Sequence, residues 1–342
     1  MSVPKAVLYY SSNSVWSCAV LLALEEKGYA DDEVDRKIVD LDKGDNFSVS
    51  FLRLNIKGTV PTLVVPFQDS LSVDAERRYK ALIDPKVRSR AIINFLDQSR
   101  SPLSRTRTTS TAPAPTLTPA TIAFTATTET ILEIIHAEDV SPDILAFINA
   151  QDDVTLKTFA TNITPAIAGR QKALAECLSD AEAGKIVASA KVKNFWREKQ
   201  IETEQLLAVL LVADKEEAAL ESADKTRRAE FFIKAKAAWG VKVKGACVKL
   251  NQEIIGPYAL GDQLSTADVS LAAWMRKVVI LAGGTAGNDG ATAISTLESY
   301  IGFTLAKNYQ AVDAREKEVA MVSKLEAFWQ AMSSRSSWKK MY

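Results

Sequence analysis

A serine-containing loop near the start of the chain holds the side chains best placed for chemistry. Ser12 and Ser14 follow a short apolar run at residues 6–10 and precede residues 15–27, where apolar side chains recur at helical spacing. A hydroxyl at the start of a helix can stabilise an anion such as a thiolate, because the backbone N–H groups and the helix dipole favour negative charge there. Ser14 is therefore the predicted catalytic residue, with Ser12 and Ser17 as alternatives. A purely structural role as the helix cap is the competing interpretation.

A second candidate position is the dipeptide Val60-Pro61, which lies between a glycine-containing turn and a predicted strand that ends at Pro66. Proline cannot donate a hydrogen bond to a sheet, so at a strand entrance it indicates a turn, an edge or a cis peptide bond. A cis bond here would leave the backbone of Val60 able to pair with a peptide-like ligand. Lys57, in the same turn, could reach a ligand carboxylate as a point charge. A solvated loop lysine is the alternative.

The composition excludes several classes of function. The chain has 342 residues, enough for two domains, and its 42 basic residues balance its 42 acidic ones, so we expect no nucleic-acid partner and no anionic membrane surface. No segment reaches the roughly 18 apolar residues of a membrane helix, which predicts a soluble, cytoplasmic protein. Cys18, Cys177 and Cys247 are far apart in the sequence, and there is one histidine, His136. We therefore expect a reducing compartment and no metal site, with Cys18 in the core.

The first hundred residues predict a thioredoxin-like domain. Strands are expected at residues 6–10, 34–41, 61–66 and 79–83, because each is a short run that contains apolar residues and is bounded by turn residues. Helices are expected at residues 15–27, 47–54 and 89–96. The resulting order is strand, helix, strand, helix, strand, strand, helix.

These segments resemble the glutathione transferase family. Residues 10–17 and 21–28 are similar to the first strand, catalytic loop and first helix of that family. The resemblance implies that Ser14 stands where serine-type members hold their catalytic hydroxyl. It also implies that Val60-Pro61 is the cis-proline pair whose backbone holds the cysteinyl part of glutathione. Reduction of mixed disulfides would require a cysteine at position 14.

The resemblance extends to the binding of the γ-glutamyl end of glutathione. Arg88-Ser89 stands where most members have an acidic residue followed by serine. Arg88 departs from that pattern, and an arginine there either turns to solvent or weakens glutathione binding. Trp16, in the first helical turn beside the catalytic position, is the predicted contact for a hydrophobic substrate. The predicted glutathione contacts are Ser12, Lys57, Val60, Pro61, Arg88 and Ser89.

The remainder of the chain predicts a linker and an all-helical domain. Residues 101–128 are rich in Ser, Thr and Pro, a composition that favours an extended chain and predicts an interdomain linker. Residues 129–342 carry helical patterns almost throughout, and an insertion is expected within residues 139–225, since the family's helical domain is smaller. The expected fold class is thus α/β plus all-α. An enlarged helical domain resembles a fungal-type or ganglioside-induced differentiation-associated member.

One motif in the second half has a structural interpretation. Ser265 and Asp268 have the spacing of a capping box, in which each side chain satisfies a backbone N–H of the first helical turn. Similar residues open the buried sixth helix of the helical domain in glutathione transferases. We expect both residues to support folding.

The resemblance implies a homodimeric glutathione transferase that conjugates glutathione, its co-substrate, to a small hydrophobic electrophile in detoxification or secondary metabolism. We expect it to be cytoplasmic. The alternative is a non-catalytic binding or scaffold protein of the same fold with weak or no glutathione binding. His136, between isoleucines and acidic residues on a helix, is interpreted as a satisfied or exposed histidine.

Overall fold

A computed structural model describes residues 5–66, 79–82, 88–101, 108–312 and 319–342. The described residues divide into two compact units. The first unit contains residues 5–13, 36–66, 79–82 and 147–236, and the second contains residues 14–35, 88–101, 108–146, 237–312 and 319–342. The elements in chain order are β1 (Ala6–Tyr10), α1 (Val15–Glu26), β2 (Val34–Ile38), α2 (Val49–Leu54), β3 (Thr62–Pro66), β4 (Tyr79–Leu82), α3 (Arg88–Ser99), α4 (Ile122–His136), α5 (Pro142–Leu145), α6 (Asp153–Glu182), α7 (Ala190–Leu210), α8 (Ser222–Ala237), α9 (Lys244–Glu253), α10 (Thr266–Leu281), α11 (Gly290–Ile301), β5 (Tyr309–Val312), β6 (Val319–Val322), α12 (Lys324–Ser333) and α13 (Ser336–Met341).

A four-stranded sheet with the order β2-β1-β3-β4 forms the N-terminal part of the fold. Strand β3 lies at its centre, antiparallel to β1 with Leu8 opposite Leu63, and antiparallel to β4 with Val64 opposite Ala81. Leu8 and Leu63 are fully buried, which explains why apolar runs rather than alternating patterns mark these strands. The order of strands and helices is the predicted thioredoxin-like one, followed by a helical part. The predicted fold class is confirmed.

Helices α6, α7 and α8 belong to the first unit, together with the sheet and α2. We call residues 147–236 the α6–α8 segment. One side of it forms an apolar cluster of its own, which includes Leu156, Ile167, Val209 and Phe231. The other side packs on residues of the N-terminal region, where the fully buried Trp196 donates its indole N–H to the carbonyl oxygen of Phe47 at 3.0 Å.

The second unit is built around α10, whose side chains are buried along most of its length. Helix α1 packs against α3 and α10 in this unit. Trp274 of α10 is fully buried and donates its indole N–H to the carbonyl oxygen of Val140 at 3.0 Å. The C-terminal residues join the same unit, because Arg335 makes two hydrogen bonds of 2.6 Å with the carboxylate of Glu26.

Residues 108–121 have no regular structure, and α4 begins at Ile122, inside the region that composition marks as a linker. The tract is nevertheless held by the second unit. Leu117 is buried, and its N–H donates to Asp97 at 2.9 Å. Arg100 donates to the carbonyl oxygen of Ala112 at 2.7 Å. A proline-containing stretch is thus fixed by side chains that satisfy its backbone groups rather than by apolar burial alone.

Candidate functional site

Ser14 caps the N-terminus of α1. Its hydroxyl oxygen accepts a hydrogen bond from the N–H of Ser17 at 3.4 Å, and its carbonyl oxygen accepts one from Cys18 at 3.0 Å. The first turn of α1 has no acidic residue, so no side chain there neutralises the positive end of the helix dipole. Of the two alternative serines, Ser12 is exposed and Ser17 is fully buried. Ser14 therefore combines a hydroxyl with a helix end that favours an anion.

A second group of candidate residues meets at His136. Ser89, in the first turn of α3, is buried, and its hydroxyl lies 3.4 Å from Nε2 of His136. The imidazole ring stacks on the indole of Trp16, with 4.0 Å between ring centroids and 11° between planes. Nδ1 of His136 lies 2.9 Å from the carbonyl oxygen of Leu132. The structure thus brings Ser89 and Trp16 together through a histidine that the sequence interpretation left outside the site.

The hydrogen bonds of His136 fit a neutral imidazole. A carbonyl oxygen only accepts, so Nδ1 carries the proton that is donated to Leu132, and Nε2 can then accept from the hydroxyl of Ser89. Burial lowers the pKa of His136; the bond to Leu132 opposes this and nearby Arg90 adds to it, so the pKa lies below its ordinary value.

We expect the nuclear magnetic resonance signal of His136 to titrate with a midpoint below about 6.5, the ordinary value for histidine. The measurement is simple because the chain has one histidine. A base whose pKa is lowered by folding binds fewer protons in the folded state than in the unfolded state. Its contribution to stability is therefore complete above the pKa of the unfolded state and is lost as the pH falls through the pKa of the folded state. His136→Gln should flatten the dependence of the melting temperature on pH in that window. A midpoint at or above the ordinary value would contradict the neutral, buried ring.

Three further predicted residues, Lys57, Val60 and Pro61, lie in the first unit at the turn before β3. The Val60-Pro61 peptide bond is cis, as the family resemblance implied. Asn55 braces the turn, since its side-chain N–H groups donate to the carbonyl oxygen of Thr59 at 2.6 Å and to the hydroxyl of Thr62 at 3.2 Å. Val60 and Pro61 are buried, whereas Lys57 is exposed. The turn is a fixed scaffold that presents Lys57 to solvent.

Helix α7 lies beside this turn. A cavity of about 590 Å³ is lined by Ile56 and Lys57 from the turn and by Lys191, Asn194 and Phe195 from α7, with Glu198. Lys191 therefore provides a second cation on the wall that contains Lys57. The periodicity of the sequence could not predict that Lys191 lies near Lys57, because the turn and α7 are far apart along the chain.

The remaining candidate residues are buried in the core, or their side chains lie outside the described residues. Arg88 begins α3, and its side chain lies outside the described residues. Cys18 is buried, and burial raises the pKa of its thiol. Asp268 is fully buried, and its carboxylate accepts from the N–H of Ala259 and from both the N–H and the hydroxyl of Ser265, each at 2.6 Å. Burial raises the pKa of Asp268 to about 6 against these hydrogen bonds.

Comparison with known proteins places the chain beside one group of solved structures. No protein-family model matches it. It is similar to glutathione transferase Omega 3C from Trametes versicolor, at 16% identity over 100% of this chain and 90% of that one, with a TM-score of 0.45. It is also similar to the β-etherase LigF from Sphingobium sp. strain SYK-6, at 17% identity over 99% and 98% of the two chains, with a TM-score of 0.47. A glutathione transferase homologue from Sulfitobacter, solved with bound glutathione, matches at 13% identity over 99% and 97%, with a TM-score of 0.42.

At these identities and TM-scores the likeness assigns no substrate and no role to a residue. The solved structures to which the chain is similar include glutathione transferases of several classes, the family that the sequence motifs resemble. The fungal-type or ganglioside-induced differentiation-associated subtype stays a prediction. Within the described ranges, no helix has the length and apolar character needed to cross a membrane. In the same ranges, no group of three or more His, Cys, Asp or Glu residues could hold a metal ion.

Proposed function

We propose that this chain is a glutathione transferase that conjugates glutathione to a small hydrophobic electrophile. The observation that supports the proposal best is the position of Ser14, a hydroxyl at the N-terminus of a 12-residue helix with no acidic residue in its first turn. The Val60-Pro61 turn and the exposed Lys57 are the proposed binding residues for the tripeptide backbone and a carboxylate, with Ser12 and Ser89 as further contacts. We also propose a cytoplasmic location and a homodimer.

The proposed chemistry requires a thiolate. A free thiol has a pKa of about 8.5, so only a few per cent is ionised near neutral pH. A hydrogen bond from the Ser14 hydroxyl and the dipole of α1 would stabilise the anion, and the thiol proton would pass to solvent. The sulfur lone pair then forms a bond to the electrophilic carbon. With a halogenated substrate, the carbon–halogen bond breaks and the halide leaves with its electron pair.

We expect Ser14→Ala to lower turnover by about tenfold to hundredfold near neutral pH, the usual contribution of a hydrogen bond to a charged group. The affinity for glutathione, measured by isothermal titration, should change less, because Ser14 is proposed to act on the sulfur alone. Turnover can be followed with 1-chloro-2,4-dinitrobenzene, and thiolate formation by its ultraviolet absorbance as a function of pH. The apparent pKa of the bound thiol should rise in the variant.

Ser323→Ala is the matched control, because Ser323 is also a buried serine that caps a helix, α12, and it has no place in the proposed site. Equal losses in both variants would show that the loss of a helix cap, rather than the hydroxyl of Ser14 at the site, lowers turnover. The absence of a heat of binding at millimolar glutathione would refute the proposal.

The alternative function, a non-catalytic binding or scaffold protein with weak or no glutathione binding, is favoured by one contact. Ser89, the proposed partner of the γ-glutamyl group, is buried and lies within hydrogen-bond distance of His136. A ligand would have to compete for that hydroxyl. In this case the melting temperature would be unchanged by glutathione but raised by apolar dyes.

A further inference from the structure

The α6–α8 segment encloses a cavity that involves none of the residues assigned to the proposed glutathione site. Its volume is about 610 Å³, within the range of small-molecule pockets. Apolar side chains from three helices and the preceding loop form much of its wall: Phe147, Ile167, Leu206, Val209 and Phe231. These residues belong to or pack on one apolar cluster. The cavity is therefore a feature of the α6–α8 segment itself.

Arg170 of α6 is the charged group that lies deepest in this wall. Its guanidinium carbon lies 5.2 Å from the ring centre of Phe47 and 5.9 Å from that of Phe147. Its Nε atom is buried and has no hydrogen-bond partner in the described part of the chain. Over the same residues, no carboxylate lies within 4.0 Å of Arg170. Burial lowers the pKa of Arg170, with the field of Glu202 opposing that change.

Among the described residues, neither carboxylate that lines the cavity lies within 4.0 Å of Arg170, although the field of Glu202 reaches its guanidinium group. Glu202 is held by Lys199, with its two carboxylate oxygens at 2.9 and 2.7 Å from Nζ. Glu230 is exposed on the rim, and so are Lys234 and Arg227, which is paired with Asp224 at 2.6 Å. The cavity thus presents a partly desolvated guanidinium beside an apolar wall. A planar fork of donors of this kind matches a carboxylate.

We propose that this cavity binds a small amphipathic carboxylic acid, with its carboxylate on Arg170 and its apolar body against the wall formed by α6, α7 and α8. The occupant would be a free molecule in solution. Its binding is independent of glutathione chemistry, since Ser14, Lys57 and Val60 take no part in the cavity. The α6–α8 segment would then act as a ligand-binding module.

The test is isothermal titration of the full chain with dodecanoate and with dodecanol, which has the same apolar chain but no charge. We expect dodecanoate to bind more tightly than dodecanol. Arg170→Gln should weaken dodecanoate binding by about tenfold to hundredfold and leave dodecanol binding unchanged, because a hydrogen bond to a charged group is lost. Lys172→Gln is the matched control, since it removes a charge from the same helix at a side chain that is 79% exposed.

A second variant locates the site without disturbing Arg170. Gln205 lines the cavity and is exposed, so Gln205→Trp should obstruct the opening and weaken both ligands, with little effect on the melting curve. The proposal is overturned if the wild-type chain binds dodecanoate no better than dodecanol, if Arg170→Gln and Lys172→Gln behave alike, or if Gln205→Trp binds both ligands like the wild type. Titration with glutathione in parallel distinguishes failure of this site from failure of the proposed transferase function.

Discussion

Asp97→Ala should reduce the free energy of unfolding by about 3–5 kcal/mol, the usual cost of removing one partner of a buried ion pair. Nζ of Lys27 lies 2.9 Å from the carboxylate of Asp97, and their side chains are 1% and 3% exposed. Without Asp97, the ammonium group of Lys27 keeps the carbonyl oxygen of Pro115, at 2.6 Å, and no other hydrogen-bond partner among the residues that the structure describes. The substitution also removes the acceptor for the N–H groups of Leu117 and Thr118.

Lys27→Met should cost less than Asp97→Ala. In this variant the carboxylate of Asp97 still accepts from the N–H groups of Leu117 and Thr118 and from the hydroxyl of Thr118, at 2.9, 3.0 and 2.6 Å. Three donors stabilise a buried carboxylate better than one carbonyl oxygen stabilises a buried ammonium group. Urea denaturation followed by circular dichroism measures both variants. Equal losses would contradict this asymmetry.

Glu176→Ala is the control for the Asp97 experiment. Glu176 and Lys172 form an exposed pair on α6, with a separation of 3.9 Å. Pairs of this kind contribute about 0.3–0.5 kcal/mol, so the unfolding curve should hardly move.

The Asp97 contribution also has a definite pH dependence. Burial raises the pKa of Asp97, but hydrogen bonds from Thr118, Leu117 and Lys27 outweigh it, so the folded pKa lies below the ordinary value. An acid with a lowered pKa contributes stability that is present above its unfolded pKa and is lost as the pH falls through its folded pKa. Asp97→Ala should therefore lose less stability to acid than the wild type.

Trp196→Ala should also cost about 3–5 kcal/mol, because it leaves a large cavity in a packed cluster. Trp196 is fully buried among Phe47, Leu52, Leu174 and Val192, and its indole N–H donates to the carbonyl oxygen of Phe47. Hydrogen exchange should quicken in α6 and α7, since this cluster holds them to the turn and helix around Phe47. Urea denaturation gives the loss of stability.

Two further variants separate volume from hydrogen bonding at Trp196. Trp196→Phe keeps most of the apolar volume and removes the donor, so about 1–2 kcal/mol is expected. Ile201→Ala, on the same helix at a side chain that is 55% exposed, should change stability by less than about 0.5 kcal/mol. A loss for Trp196→Phe as large as that for Trp196→Ala would mean that the hydrogen bond, rather than packing, dominates.

Local patterns predicted the parts of the fold that depend on near neighbours. The apolar run before Ser14 and the helical spacing after it place a cap at the start of α1, and the capping-box spacing of Ser265 and Asp268 places the start of α10. Proline at position 61 indicated a turn, an edge or a cis bond at the entrance to β3, and the family resemblance implied the cis bond that the structure has. In each case the deciding contacts lie within a few residues along the chain.

Contacts between distant segments could not be predicted in this way. Nothing in the spacing of Ser89 indicates that His136 lies 3.4 Å from its hydroxyl, and nothing near Phe47 indicates that Trp196 donates to its carbonyl oxygen. The Ser/Thr/Pro tract is the clearest example, since composition favours an extended linker while the structure buries Leu117. Likewise, nothing in the sequence around Arg170 indicates that three helices enclose its side chain.

The anchored tract has a practical consequence for anyone who wishes to divide the protein. Expression of residues 1–100 as a separate piece would cut away the stretch that supplies Pro115, Leu117 and Thr118 to Lys27 and Asp97. In that fragment the buried ammonium group of Lys27 and the buried carboxylate of Asp97 would lose most of their hydrogen-bond partners. A fragment that retains these hydrogen-bond partners has to extend at least as far as Thr118.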